Sequence, residues 1–189
     1  METFDLGCII MASGLGKRFG ANKLLADFAG QPMVQKILDA TASLPHRVVV
    51  TRHPEIAELC RGQNIPVLLH DLPNRNDTVR LGVEALGACR HYLFCPSDQP
   101  LLQKATLERL ILDAQAHPEA IGRLCWEDTV GSPVIFPGVL EEDLKNLPLG
   151  KGGGALIKKH PSLLRLVPAS DPRELMDVDT PEDLDLLLK

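Results

Sequence analysis

The sequence predicts an α/β protein built on a mainly parallel sheet covered by helices on both faces. Three observations predict it: apolar runs too short to be useful helices, intervening segments with apolar residues at helical spacing, and the alternation of the two along 189 residues. Each parallel crossover needs a connecting element that packs back on the sheet, so this alternation implies helices on its faces.

The elements follow in order. Leu6 to Met11 is an apolar run ending in a glycine-rich turn, the pattern of a fully buried first strand. Further strand-like runs occur at Arg47 to Thr51, Val67 to Leu69, His91 to Cys95, Ile121 to Cys125, Val134 to Phe136 and Leu163 to Val167. Between them, Val34, Ile37, Leu38 and Leu44 fall roughly on one helical face. Val79, Val83 and Leu86 do likewise, as do Leu107, Leu110 and Ile111. The last helix runs Pro181 to Leu188, with Thr180 as N-cap, Pro181 at the first helical position and acids in the first turn. No repeat, low-complexity tract or linker divides the chain, so one domain over residues 1–189 is expected.

Composition narrows the function. A chain 44% hydrophobic and 24% charged has a globular balance. No stretch approaches the ~20 apolar residues of a membrane span, and Met1 to Asp5 lack the basic character of a signal peptide, so a cytoplasmic protein is expected. A net charge of -5 argues against general binding to a nucleic-acid backbone, while leaving room for a local phosphate site. Five cysteines without a C-x-x-C pair suggest neither a disulfide framework nor a zinc knuckle, and they read as reduced core residues. The six scattered histidines form no metal-binding motif.

Three segments carry chemistry. Ala12, Ser13, Gly14, Gly16, Lys17, Arg18 and Lys23 form a glycine-rich basic loop after the first strand, a phosphate site in outline. It is neither a Walker A loop nor a Rossmann fingerprint, since no third glycine stands at Phe19. By itself it also reads as a surface turn with solvated cations. Asp98 follows the run His91 to Cys95, on the same carboxyl-end rim, where a carboxylate holds Mg2+ against a triphosphate. It equally fits a turn before proline. Asp177 and Asp179, one residue apart, project to one side of an extended segment and complete a metal site with Asp98, or favour the positive end of the last helix. Sequence does not decide between the two acids.

Together these segments resemble the molybdenum cofactor nucleotidyltransferases. The family pattern L-A-[AG]-G-x-[GS]-x-R-[MF]-G-x-x-K corresponds to Met11 through Lys23, with Arg18, Gly20 and Lys23 in place. Its D-x-P loop matches Asp98-Gln99-Pro100, its G-x-P-x-x-F segment Gly131 to Phe136, and its D-x-D-T-P-E-D-L ending Asp177 to Leu184. The resemblance implies a nucleotide-diphospho-sugar-transferase-like, Rossmann-like fold with three αβα layers and a mainly parallel mixed sheet. It also implies Mg2+-dependent transfer of CMP or GMP from CTP or GTP to a phosphorylated pterin, with release of pyrophosphate and a molybdoenzyme as a possible partner. Ala12, Ser13 and Gly14 would lie against the nucleotide, Arg18 and Lys23 would bind its phosphates, and Asp98 would bind the metal.

Three departures bear on substrate. Ser13 stands where the cytidylyl branch has alanine and the guanylyl branch glycine, although the overall wording is closer to the cytidylyl branch. Asn74 to Arg80 replace a serine-rich stretch; Arg75, Thr78 and Arg80 either meet the nucleotide or start a helix with Asp77 as N-cap. Lys151 stands where the family often has an acid, in a glycine-rich segment that reads as a flap over the second substrate or as a plain loop. A sugar-phosphate or polyol-phosphate acceptor, and a cofactor carrier without turnover, remain open as alternatives.

Overall fold

A computed structural model describes residues 5–189; Met1 to Phe4, most of the stretch inspected above for a signal peptide, lie outside the described residues. The chain forms β1 (Leu6–Ala12), a 3-10 turn (Lys23–Leu25), β2 (Asp27–Phe28), β3 (Gln31–Pro32), α1 (Met33–Ala40), β4 (Arg47–Thr51), α2 (Pro54–Gly62) and β5 (Val67–Leu69). There follow α3 (Arg75–Leu86), β6 (His91–Pro96), α4 (Lys104–Ala116), β7 (Ile121–Trp126), β8 (Thr129–Pro137), α5 (Glu141–Lys145), α6 (Gly154–Lys159), β9 (Leu164–Pro168) and α7 (Pro181–Leu187).

Seven strands form one sheet in the order β5-β4-β1-β6-β8-β7-β9, and β2 pairs with β3 as a separate hairpin. β1 is parallel to both β4 and β6, whereas β8 is antiparallel to β6 and β7, which makes the sheet mixed. The chain passes outward from β1 through β4 to β5, then returns to the other flank of β1 with β6. Such a reversal opens a crevice at the carboxyl ends of the two inner strands, which is where open α/β sheets bind ligands.

Because strand side chains alternate faces, one sequence supplies two cores. Cys8 and Ile10 of β1, Val49 of β4 and Leu93 and Cys95 of β6 pack with α1, α2, α4 and α7. Ile9, Val48, Val50, Tyr92 and Phe94 pack on the opposite face with α3, α5 and α6. The result is three layers. Among the described residues, no helix is long and apolar enough to cross a membrane, and all five cysteines are free and buried.

Sequence periodicity missed or misplaced several features. α2 buries only Ile56, Ala57 and Cys60, a stripe too narrow to stand out from a polar segment. α1 ends at Ala40, so Leu44 reaches the core from the following turn rather than from the helix. β8 is longer than its apolar run because its first half, from Thr129, is exposed or half-buried. The N-cap of α3 is Asn74, and Asp77 is its N3 partner in a capping box. Thr180 caps α7 with Asp183 as the reciprocal partner.

α3 lies on β1 through a glycine. A Cβ at Gly82 would stand 2.5 Å from Ile9 Cγ2, with two more Ile9 carbons at 3.1 and 3.2 Å. Gly82→Ala is therefore expected to destabilise the fold by about 1–3 kcal/mol through overpacking, despite alanine's better helix propensity. Urea unfolding measures this; an unchanged midpoint would mean that helix and strand separate freely.

Candidate active site

The carboxyl ends of the inner strands are tied together by side-chain hydroxyls. Thr51 Oγ1 donates to the Ala12 carbonyl at 2.9 Å, and Ser97 Oγ donates to the Met11 carbonyl at 2.8 Å. Ser13 Oγ donates to the Val50 carbonyl at 3.1 Å and lies 2.8 Å from His70 Nε2. The Leu72 amide donates to His70 Nδ1 at 3.2 Å, so Nε2 carries the ring proton and donates it to Ser13. Partial burial, together with the Arg52 charge, lowers the His70 pKa and keeps this neutral form at pH 7. Beyond Ser13 the chain turns through Gly16 at φ +57°, where a Cβ would meet the Ala21 carbonyl at 2.9 Å; glycine is required there.

That turn delivers Lys23 to the centre of an acidic cluster. The residue is 6% exposed, and its ammonium donates to Asp98 Oδ2 at 2.8 Å, the Val178 carbonyl at 2.7 Å and Asp179 Oδ1 at 3.1 Å. Burial works to lower its pKa, but the carboxylates of Asp98 and Asp179 outweigh that and raise it. Arg18, exposed above, reaches Asp179 Oδ2 at 3.1 Å. The Asp98 carbonyl accepts from the Val178 amide at 2.9 Å, stitching the segment before α7 to the end of β6. Asp177 Oδ1 accepts from Gln99 Nε2 at 2.9 Å. Asp177 is exposed as a whole, but the protein packed around its carboxylate, and then the Asp98 charge, raise its pKa.

These groups border a cleft of about 600 Å3, lined by Ser13, Gly14, Gly16, Lys17, Arg18, Lys23, Arg75, Thr78, Asp98, Asp177 and Asp179. The three sequence segments thus meet in one place, and both Asp177 and Asp179 face it. Two expected nucleotide contacts are placed elsewhere. Ala12 is buried beneath the loop with its carbonyl on Thr51. Arg80 points to Glu84 at 3.1 Å and Asp77 at 3.8 Å, because it lies two residues after Thr78, about 200° further round α3 and so on another face. The cleft acids offer only carboxylate oxygens, a donor set that fits a hard cation such as Mg2+ or Mn2+.

Sequence reasoning missed Arg52, Asn74 and Ser97 in the cleft wall and His70 behind it. The rule that ligands gather at carboxyl strand ends was a usable signal for Arg52 and Ser97, since both follow strand-like runs. A second cavity of about 560 Å3 adjoins the cleft and shares Met11, Arg75 and Pro96 with it. Its wall includes the glycine-rich segment Gly150 to Gly154, whose Gly150 amide donates to Asn76 Oδ1 at 2.8 Å. The segment read as a flap therefore lies against the start of α3.

The sequence model of the MobA-like NTP transferase domain matches residues 8–164. The chain is 32% identical over 136 residues to a bifunctional IspD/IspF enzyme of Rhodospirillum rubrum, covering 66% of this chain and 35% of that protein. It is 29% identical over 123 residues to a molybdenum cofactor guanylyltransferase of Rhodobacter capsulatus, covering 61% of this chain and 62% of that one. The chain thus spans from about a third to three fifths of these relatives. A solved structure of CMP:2-keto-3-deoxy-manno-octonic acid synthetase complexed with CTP superposes with a TM-score of 0.77 at 15% identity, covering 97% of each chain. Its fold, that of the nucleotide-diphospho-sugar transferases, is the fold of this chain.

Proposed function

The chain belongs to the family of MobA-like NTP transferase domains, and from that premise we propose that it is a Mg2+-dependent nucleotidyltransferase that moves CMP from CTP to a phosphorylated acceptor, molybdopterin being the preferred one. The observation that carries this reading is the meeting of the glycine-rich basic loop with Asp98, Asp177 and Asp179 in one cleft.

The reaction is an in-line displacement. An acceptor phosphate oxygen attacks the α-phosphorus of CTP, a P–O bond forms on that side, and the bond to the leaving pyrophosphate breaks on the other. Protein groups need only position the two substrates and offset charge. Arg18 and Lys17 meet the triphosphate, and the start of α3 at Asn74 and Arg75 adds amide donors and a guanidinium. Asp98, with Asp177 and Asp179, would hold the cation, and Mg2+ bound there would polarise the α-phosphate and neutralise the leaving group.

Ser13 favours CTP over GTP. Its hydroxyl is tied back to Val50 and His70, so toward the cleft the residue resembles the alanine of the cytidylyl branch. Ser13→Ala is expected to keep the base preference while losing about 1 kcal/mol of stability with the hydrogen bond. A switch to GTP would show that the hydroxyl reads the base.

Thermal shift with each of the four common triphosphates tests the nucleotide, since a ligand that binds only the folded state raises stability according to its affinity. CTP with Mg2+ should give the largest shift, and pyrophosphate should form over many turnovers once an acceptor is supplied. Stoichiometric binding without pyrophosphate would instead indicate a cofactor carrier. Equal shifts from all four triphosphates would remove the base assignment.

A further inference from the structure

The strands whose carboxyl ends build the cleft carry, at their amino ends, a second cluster of side chains with a different chemistry. Asp5 stands just before β1, His46 just before β4 and Cys89 two residues before β6. One ligating atom from each lies within 4.8 Å of the other two, and Cys89 Sγ is 3.7 Å from His46 Nδ1. An ion held tetrahedrally at about 2.3 Å from sulfur and about 2.0 Å from nitrogen places those two atoms about 3.6 Å apart. The three residues come from separate connections of the chain, so no local spacing motif announces them.

Their backbones are fixed before any ion arrives, as a ligand set of low reorganisation requires. The His91 amide donates to the Asp5 carbonyl at 3.1 Å, and the Arg90 amide donates to Asp5 Oδ2 at 3.0 Å. The Cys8 amide donates to the His46 carbonyl at 2.9 Å, and the Cys89 amide donates to the Tyr92 hydroxyl at 3.1 Å. The thiol lies over the backbone of β1 at Gly7, where a Cβ would come 2.8 Å from Cys89 Sγ. Cys89 is 7% exposed, whereas Asp5 and His46 are both exposed, so the cluster opens to solvent on one side.

A cysteine, a histidine and an aspartate together also suggest a nucleophilic relay, but the geometry is against it. In a relay the imidazole stands between acid and nucleophile, and one ring nitrogen serves each. Here the carboxylate oxygen and the sulfur lie within 4.8 Å of each other, so all three ligating atoms converge on one point. Burial, and then the Asp5 and Glu141 charges, push the Cys89 thiol pKa up to about 11, away from a reactive thiolate. We infer that Asp5, His46 and Cys89 form a Zn2+ site, with three protein ligands and a water completing the tetrahedron. Sulfur and imidazole select a borderline ion, whereas the cleft offers only carboxylates to a hard one. The seven residues of β1 separate the two sites by about 20 Å, and the zinc site is independent of what the cleft catalyses. On binding, a Zn–S bond forms, the thiol proton leaves to solvent, and the ion ties together the amino ends of the neighbouring strands β4, β1 and β6.

The test adds Co2+ to the full chain, stripped of metal and then placed in excess Mg2+ to occupy the carboxylate cleft. A thiolate-to-cobalt charge-transfer band in the near ultraviolet and intense tetrahedral d–d bands should grow to one equivalent, and Zn2+ should abolish both. Cobalt held only by oxygens in the cleft gives no thiolate band. Zn2+ affinity, read by competition with a chromogenic chelator, should fall at least about a hundredfold in Cys89→Ser and in His46→Ala. With Zn2+ a hundredfold above its wild-type Kd, the thermal midpoint of the wild-type chain should rise by about 5–10 °C, and that of either variant by about 1 °C. His46 is exposed, so its variant covers the case in which Cys89→Ser disturbs the core. Absence of the charge-transfer band in the wild-type chain, a band that persists in Cys89→Ser, or Zn2+ affinity unchanged in His46→Ala would each overturn the site.

Discussion

Asp98→Ala is expected to lower Mg2+-dependent pyrophosphate formation about a thousandfold, the scale seen when one preorganised charge-stabilising group is removed from a transition state. The residue sits where β6 ends, at the point where the sheet order reverses. Its backbone carbonyl accepts from the Val178 amide, and its carboxylate accepts from the Lys23 ammonium at 2.8 Å. Both ends of the residue are therefore fixed, as a group that must hold a cation against a phosphate requires. Its removal leaves Lys23 with two of its three acceptors, the Val178 carbonyl and Asp179. The variant should fold, and CTP should still bind in the presence of a chelator. Asp98→Asn keeps the shape and one oxygen but loses the charge, and should fall nearly as far. Retained turnover in either variant, assayed by pyrophosphate release at saturating Mg2+, would remove Asp98 from the reaction.

How much of this was readable beforehand depends on the kind of interaction. Strand positions followed from apolar runs, because a buried strand must be apolar on both faces. The glycine-rich loop was visible because Gly16 needs a positive φ, which restricts residue type at one position. The pairing of β8 antiparallel to β6 was not visible in any run, since direction is set by the tight turn at Glu127 and Asp128 rather than by pattern. Contacts across the sheet edge were likewise hidden. His70 reaches Ser13 from 57 residues away, and its partner gives no local signature. Arg123 lies within the strand-like run Ile121 to Cys125, whose pattern does not indicate that the strand order carries its guanidinium to a cavity wall.

Lys23 departs furthest from its sequence reading, and Lys23→Met should show it. A triphosphate ligand was expected of this lysine. Yet all three of its N–H donors lie on protein acceptors, contributed by the end of β6 and the segment before α7. It is the tie that holds the chain's last segment, and with it Asp177 and Asp179, against the cleft. Methionine matches its length but leaves Asp98 and Asp179 facing each other without the ammonium. Losing one member of a buried charged cluster costs about 3–5 kcal/mol, reduced here because the Asp98 and Asp179 side chains are 25% and 41% exposed. A loss of about 2–3 kcal/mol in urea unfolding is expected. The folded-state pKa of Lys23 lies above its ordinary value of 10.5. Its contribution is therefore complete below that value and lost only as pH rises through the raised one. The gap between wild type and variant should stay constant from pH 6 to pH 9, a range set by that linkage. Lys23→Arg should rescue little, since a planar guanidinium cannot place three short bonds in the directions an ammonium does. Pyrophosphate formation by Lys23→Met, assayed where the variant is folded, should fall about a hundredfold through misplacement of the acids. An unfolding midpoint equal to wild type, alongside weakened CTP binding, would return Lys23 to the role of a phosphate ligand.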